Sequence, residues 1–107
     1  MFDLLYQADL WFAPDIGHIV HAGMDAVEIV RECRPLIHYM HFKDLDGNGN
    51  WVSMGEGIVD FPRIVLDLED SGYQGWVVVE EESQAAVHDP DRVTLGNGAY
   101  VRAYLKR

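Results

Sequence analysis

Basic residues are scarce in this sequence of 107 residues: eight Lys and Arg stand against eighteen Asp and Glu, a formal charge of −10. A phosphate-backbone partner is disfavoured by that balance, because nucleic-acid binders present a basic face. Cysteine is nearly absent. The single Cys33 excludes a disulfide within the chain and fits a reducing, cytoplasmic compartment. Long apolar runs are missing as well; none approaches the ~18–20 residues of a membrane span. The opening stretch MFDLLYQADLWF has neither a basic n-region nor a small-residue cleavage site, so it does not read as a signal peptide. Low-complexity tracts and linkers are lacking too, and residues 1–107 are expected to form a single domain.

What the chain does have is apolar material in a regular pattern. Hydrophobic residues make up 49%, enough to bury a core and too many for a disordered segment. Three similar units follow one another. Leu10-Trp11-Phe12-Ala13 reads as a strand, halted by Pro14-Asp15-Ile16-Gly17. A helix is predicted from Asp25, where Asp25 and Glu28 have the form of a capping box, and Pro35 ends it. Ile37 to Phe42 is the second strand, followed by Lys43-Asp44 and a loop from Asp46 through Gly57. Asp60 caps a second helix with Pro62 in its first turn and Ser71-Gly72 at its close. Gly75-Trp76-Val77-Val78-Val79-Glu80 is the third strand. Its unbroken β-branched run implies burial on both faces, as in a parallel sheet. Asp89-Pro90 opens a last helix running to Tyr104. Strands alternating with helices in this way are the pattern of βα units and a parallel α/β sheet.

In such folds functional groups gather at the carboxyl ends of the strands. The polar residues of this sequence fall there. Asp15 and His18 follow the first strand, His41 and Lys43 close the second, and Glu80 to Glu82 close the third. Each has an ordinary reading: a strand histidine is more often packed or solvated than ligating, Asp15 could be a turn former, and a Glu triplet is a typical solvated strand end. Three consecutive strand ends that each carry a ligand-type residue make those separate readings less compatible. Asp, His and Glu together form a mixed O/N donor set suited to Mn²⁺, Mg²⁺, Co²⁺ or Zn²⁺.

Four collinear motifs sharpen the picture: Asp15-Ile-Gly-His18 with Ala22-Gly23 after it, His41-Phe-Lys-Asp44, Gly55-Glu-Gly-Ile-Val-Asp-Phe61, and Gly72-Tyr-Gln-Gly-Trp-Val-Val-Val-Glu80. Together they resemble the xylose isomerase-like barrel superfamily of sugar phosphate isomerases and epimerases, and within it the inosose dehydratases. The resemblance implies that Asp15, His41 and Glu80 are metal ligands, with Glu80 also a catalytic acid/base carboxylate. It further implies that His18 and Lys43 contact a sugar or polyol substrate. Glu56, in the loop before the second helix, takes no role beyond shaping the mouth of the pocket.

A complete barrel of this kind needs about 250 residues and eight strands. The expectation here is a partial TIM barrel of three βα units, equivalent to strands six to eight, that lacks the family's other glutamate ligand. Three strands cannot close, so unpaired edges and uncovered Tyr39, His41 and Val78 should drive assembly into a homo-oligomer or with a complementing barrel half. Activity of this chain alone is left open. An alternative is a non-catalytic self-associating or partner-binding module. A DNA-repair endonuclease of the same superfamily fits less well, since the chain has neither a His-rich zinc site nor a basic surface.

Overall fold

The computed structural model describes residues 13–105. Their helices are started by carboxylates and hydroxyls. Asp15 caps α1 (Ile16–His21) and accepts from the His18 amide. Asp25 caps α2 (Ala26–Cys33) and accepts from the Glu28 amide, as the capping-box pattern predicted. A 3₁₀ turn over Arg34–Leu36 follows, with Pro35 inside it. Asp60 caps α3 (Phe61–Asp70), which ends at Ser71 with Gly72 in the left-handed region at φ 76°. Ser83 caps the short α4 (Gln84–His88), and Asp89 caps α5 (Pro90–Tyr100). The last turn widens into a π-helix over Val101–Leu105.

The strands are short. β1 (Tyr39–Phe42) and β4 (Trp76–Val79) pair in parallel, Tyr39 beside Trp76 and Phe42 beside Val79. The Glu80 amide extends this ladder to the Phe42 carbonyl at 2.9 Å. Of the strand expected at 10–13, residues 10–12 lie outside the described residues. Its visible trace is a parallel bridge between Asp15 and His41, with the His41 amide donating to the Pro14 carbonyl at 2.9 Å. The α/β character and the parallel pairing are therefore present, with β1 lying between the Asp15 segment and β4.

Helix periodicity explains the core. In α2 the buried residues Ala26, Ile29, Val30 and Cys33 recur at i, i+3, i+4 and i+7, one stripe of a helix. In α3 Phe61, Ile64 and Leu68 do the same. Both stripes meet the completely buried Met40 and Phe42 of β1, with the Phe42 and Phe61 rings 4.8 Å apart at 34°. Arg31 of α2 clasps Asp67 of α3 through two hydrogen bonds of 3.0 and 3.1 Å.

The structure departs from the sequence reading in several places. Two short helices, α1 and α4, stand where the sequence reads as turn and loop. Trp76 and Val77 are exposed, Trp76 by 75%, whereas the β-branched run implied burial on both faces. A parallel strand buries both faces only where layers cover both, and among the described residues β4 has β1 alone beside it. The stretch expected to be loop from Asp46 contains an antiparallel hairpin of β2 (Asp44–Leu45) and β3 (Trp51–Val52). Asp46 builds its turn, accepting from the Asn48 and Asn50 amides and the Asn50 side chain at 2.8, 3.0 and 3.2 Å, with Gly49 at φ 84°. The final helix stops at Tyr100 as α-helix, four residues before its expected end, and continues as the π turn. The predicted loss of cover is seen most clearly at Tyr39, which is 39% exposed; His41 and Val78 are half-buried.

Candidate active site

The carboxyl ends of the Asp15 segment, β1 and β4 lie side by side, and their polar residues form two linked groups. In the first, His41 Nδ1 meets Glu80 Oε1 across the β1–β4 pair. His41 Nδ1 is buried and has no hydrogen-bond partner other than this carboxylate, which it meets as an ion pair. The Tyr39 ring packs edge-on against the imidazole with centroids 5.0 Å apart. In the second group, Asp15 accepts from the His18 amide at 3.1 Å and faces His18 Nδ1 at 3.0 Å and Lys43 Nζ at 3.7 Å. Burial raises the Asp15 carboxyl, but the His18 bonds and the Lys43 charge outweigh it and leave its pKa below the ordinary 3.8.

Lys43 is almost completely covered, at 1% exposure. Its ammonium donates to Glu82 Oε1 at 3.0 Å and sits 4.3 Å from the centroid of the Trp51 ring. His18 and His21, one turn apart on α1, pack on the same indole at 5.0 and 5.5 Å. Gly17 makes room for this stack. A Cβ there would come within 2.5 Å of the Lys43 carbonyl oxygen and 3.0 Å of the Trp51 ring.

The expected residues are thus brought together in two groups rather than as one shell. His41 joins Glu80, and Asp15 joins His18 and Lys43. Among the described residues no three His, Cys, Asp or Glu side chains close into a group that could hold a metal ion. The donor chemistry nevertheless suits a divalent cation: the set is O/N with no thiolate, and the buried His41 nitrogen abuts a carboxylate. Asp15 stands one backbone bridge away, its carboxylate turned to His18 and Lys43.

Beyond the Trp51 hairpin, two features at the site were not anticipated from the residues. The first is Asp44, completely buried, whose carboxylate gathers the next loop around itself. Oδ1 accepts from the amides of Leu45 and Val59 at 3.0 and 3.3 Å, and Oδ2 from those of Gly55 and Gly57 at 3.0 and 3.1 Å. Burial pushes the Asp44 carboxyl above its ordinary value, and the four amides only partly offset this. A side chain at position 57 would collide with Asp44 Oδ1 and the Leu45 carbonyl, which explains why Gly57 stands there. The signal lay in the sequence, as Asp44 followed by a loop with glycines at 55 and 57. The second is Asn97 of α5, 8% exposed, which accepts from the Met54 amide at 3.0 Å and donates to Glu81 Oε1 at 2.9 Å. It ties the loop after β4 to the loop after β3.

Residues 2–100 match the family model described as xylose isomerase-like TIM barrel. The chain belongs to this family. Inosose dehydratase of Lacticaseibacillus casei is 32% identical over 109 aligned positions, covering 85% of this chain and 37% of that protein. Inosose dehydratase of Bacillus thuringiensis (strain Al Hakam) is 28% identical, covering 82% and 36%. Among solved structures, the apo form of 3-keto-D-glucoside 4-epimerase from E. coli superposes with a TM-score of 0.73 at 22% identity, covering 92% of this chain and 36% of that one. The protein described as the probable 3-DHS dehydratase of petrobactin synthesis from Bacillus anthracis gives 0.70 at 22%, covering 94% and 42%. These structural likenesses establish the fold. The chain spans just over a third of the length of the curated relatives it matches.

Proposed function

We propose that this chain carries the strand-six-to-eight part of the active site of a divalent-metal-dependent sugar isomerase, epimerase or inosose dehydratase-like enzyme. The observation that carries the reading is the adjacency of Asp15, His41 and Glu80 across three parallel segments, with the buried His41 nitrogen against the Glu80 carboxylate. Asp15, His41 and Glu80 would hold the ion, Mn²⁺, Mg²⁺, Co²⁺ or Zn²⁺. Once bound, such an ion polarises a carbonyl or hydroxyl of the sugar and eases proton transfer at the neighbouring carbon. Glu80 takes up or returns that proton. His18, largely exposed beside Asp15, orients a hydroxyl. Lys43 can reach one only when Glu82 releases its ammonium, which the 58% exposure of the Glu82 side chain permits.

The rest of the barrel, including the family's further glutamate, comes in this reading from a complementing barrel half or another copy of the chain. The uncovered Trp76 and Tyr39 are the surface such an assembly would bury. A cytoplasmic setting accords with the free, buried Cys33. A second reading, a binding module without chemistry, draws on the Asp15 carboxylate being engaged by His18 and Lys43.

Thermal unfolding with and without each divalent ion separates the two. Metal binding to the folded state raises stability by roughly 2.7 kcal/mol at one hundred times Kd. The enzyme reading expects an upward shift with Mn²⁺ or Co²⁺ that His41→Ala abolishes; no shift with any of the four ions supports the binding module. Incubation with inosose or ketohexoses and Mn²⁺ then tests turnover.

A further inference from the structure

A nearly fully covered ammonium is costly unless charge and geometry compensate it. Around Lys43 the compensation has two parts. Carboxylates stand on one side, Glu82 at 3.0 Å and Asp15 at 3.7 Å. On another side the ammonium lies 4.3 Å from the centroid of the Trp51 ring, well inside the ~6 Å reach of a cation–π contact. The indole itself is held in place. Asp46 closes the turn that sets Leu45 opposite Trp51 in the hairpin. His18 and His21 pack on the ring, and the missing side chain at Gly17 leaves room for it.

We infer that Trp51 is a positioning residue for Lys43: the hairpin holds the indole against the ammonium and keeps it beside Asp15 at the strand ends. The inference deepens the role proposed above for Lys43 as a substrate contact, and in that role it rests on the proposed function. Trp51 acts through Lys43 and has no place among the ligand-type residues. Its consequence is directional. With the ring gone, the ammonium loses its cover on the hairpin side and is left to Glu82 and Asp15.

The test reads Lys43 directly and needs no turnover. The intact chain is acylated with N-hydroxysuccinimidyl acetate, and the peptide carrying Lys43 is quantified by mass spectrometry over time, in buffer and in urea. Native Lys43 should react roughly tenfold or more slowly than the same residue in urea, as a desolvated cation–π contact implies. Trp51→Leu, which keeps apolar bulk but has no ring, should lose most of that protection, and Trp51→Phe should keep part of it. Glu82→Gln should raise the rate less than Trp51→Leu does. Equal protection in Trp51→Leu and the wild type would overturn the inference, as would a larger effect from Glu82→Gln. Should Trp51→Leu fail to fold, the wild-type proton NMR spectrum decides: Lys43 side-chain protons beside an indole face are shifted upfield, and an unshifted signal refutes the contact. A protected Lys43 without any metal-induced thermal shift would sink the proposed function and leave the positioning intact. The converse result would sink only the positioning.

Discussion

Replacing Asp44 by Ala is the sharpest probe of how the site is built, because the structure lets the cost be estimated bond by bond. Four backbone amides, those of Leu45, Gly55, Gly57 and Val59, lose their acceptor at once. An amide left unpaired in a buried setting costs about 1–3 kcal/mol. The bonds to Gly55, Gly57 and Val59 are only partly buried, so water can reach their donors and the lower figure applies, about 1 kcal/mol each. Against this stands the relief of removing a carboxylate whose pKa burial has raised. The four lost bonds, offset in part, leave a cost of about 3 kcal/mol, or a fall in Tm of about 15 °C for a domain of this size. Urea unfolding followed by circular dichroism measures it. Hydrogen exchange adds a local signature, since the amides of residues 55, 57 and 59 should lose protection even in the folded variant. The pH dependence has a definite sign. A folded pKa above 3.8 means that the native state holds this proton more tightly than the unfolded chain. The contribution of Asp44 is therefore full below 3.8 and declines as pH rises through the folded value. The cost of Asp44→Ala should accordingly be smaller at neutral pH than in acid. A cost below about 1 kcal/mol, or one that grows with pH, would refute this account of the loop.

Two further outcomes follow from close packing. Gly17→Ala forces a methyl to within 2.5 Å of the Lys43 carbonyl oxygen, and should destabilise the fold by about 1–3 kcal/mol in denaturant titration; an unchanged midpoint would mean that α1 shifts freely against the end of β1. Cys33 is fully buried and its thiol is pushed up to about 11 by desolvation and the nearby Glu32. It should resist iodoacetamide in the native state and react only on unfolding, so that alkylation at the rate of a free thiol would contradict the packing of α2.

The parts of this molecule that could be read from its sequence are those set by neighbours in the chain. Asp25, Asp60 and Asp89 announce their helices because a cap acts over three residues. The stripe of α2 is visible for the same reason. Much of what escaped is set by partners far along the chain or by their absence, although the short helices α1 and α4, capped locally by Asp15 and Ser83, escaped as well. Val77 has the composition of a doubly buried strand, yet burial depends on what lies over it, which composition does not record. The hairpin at 44–52 rests on a single aspartate turn within a stretch rich in Gly and Asn, where two-residue strands leave almost no periodicity. At the site, the strand-end positions of Asp15, His41, Lys43 and Glu80 could be anticipated from the βα pattern. Their pairing could not: that Asp15 would face His18 and Lys43 while His41 meets Glu80 depends on rotamers and on the Trp51 hairpin.

His41 holds three neighbouring segments at one point. Its amide is tied to Pro14 on one side, and its imidazole rests on Glu80 on the other. One residue thus spans all three neighbouring segments, like the middle rivet of a three-leaf spring. A sideways slip of either outer leaf must be felt at that rivet. Every substitution at position 41 except proline keeps the amide tie to Pro14, so His41→Ala, His41→Asn and His41→Gln alike remove the imidazole's contact with Glu80 and leave the backbone tie in place.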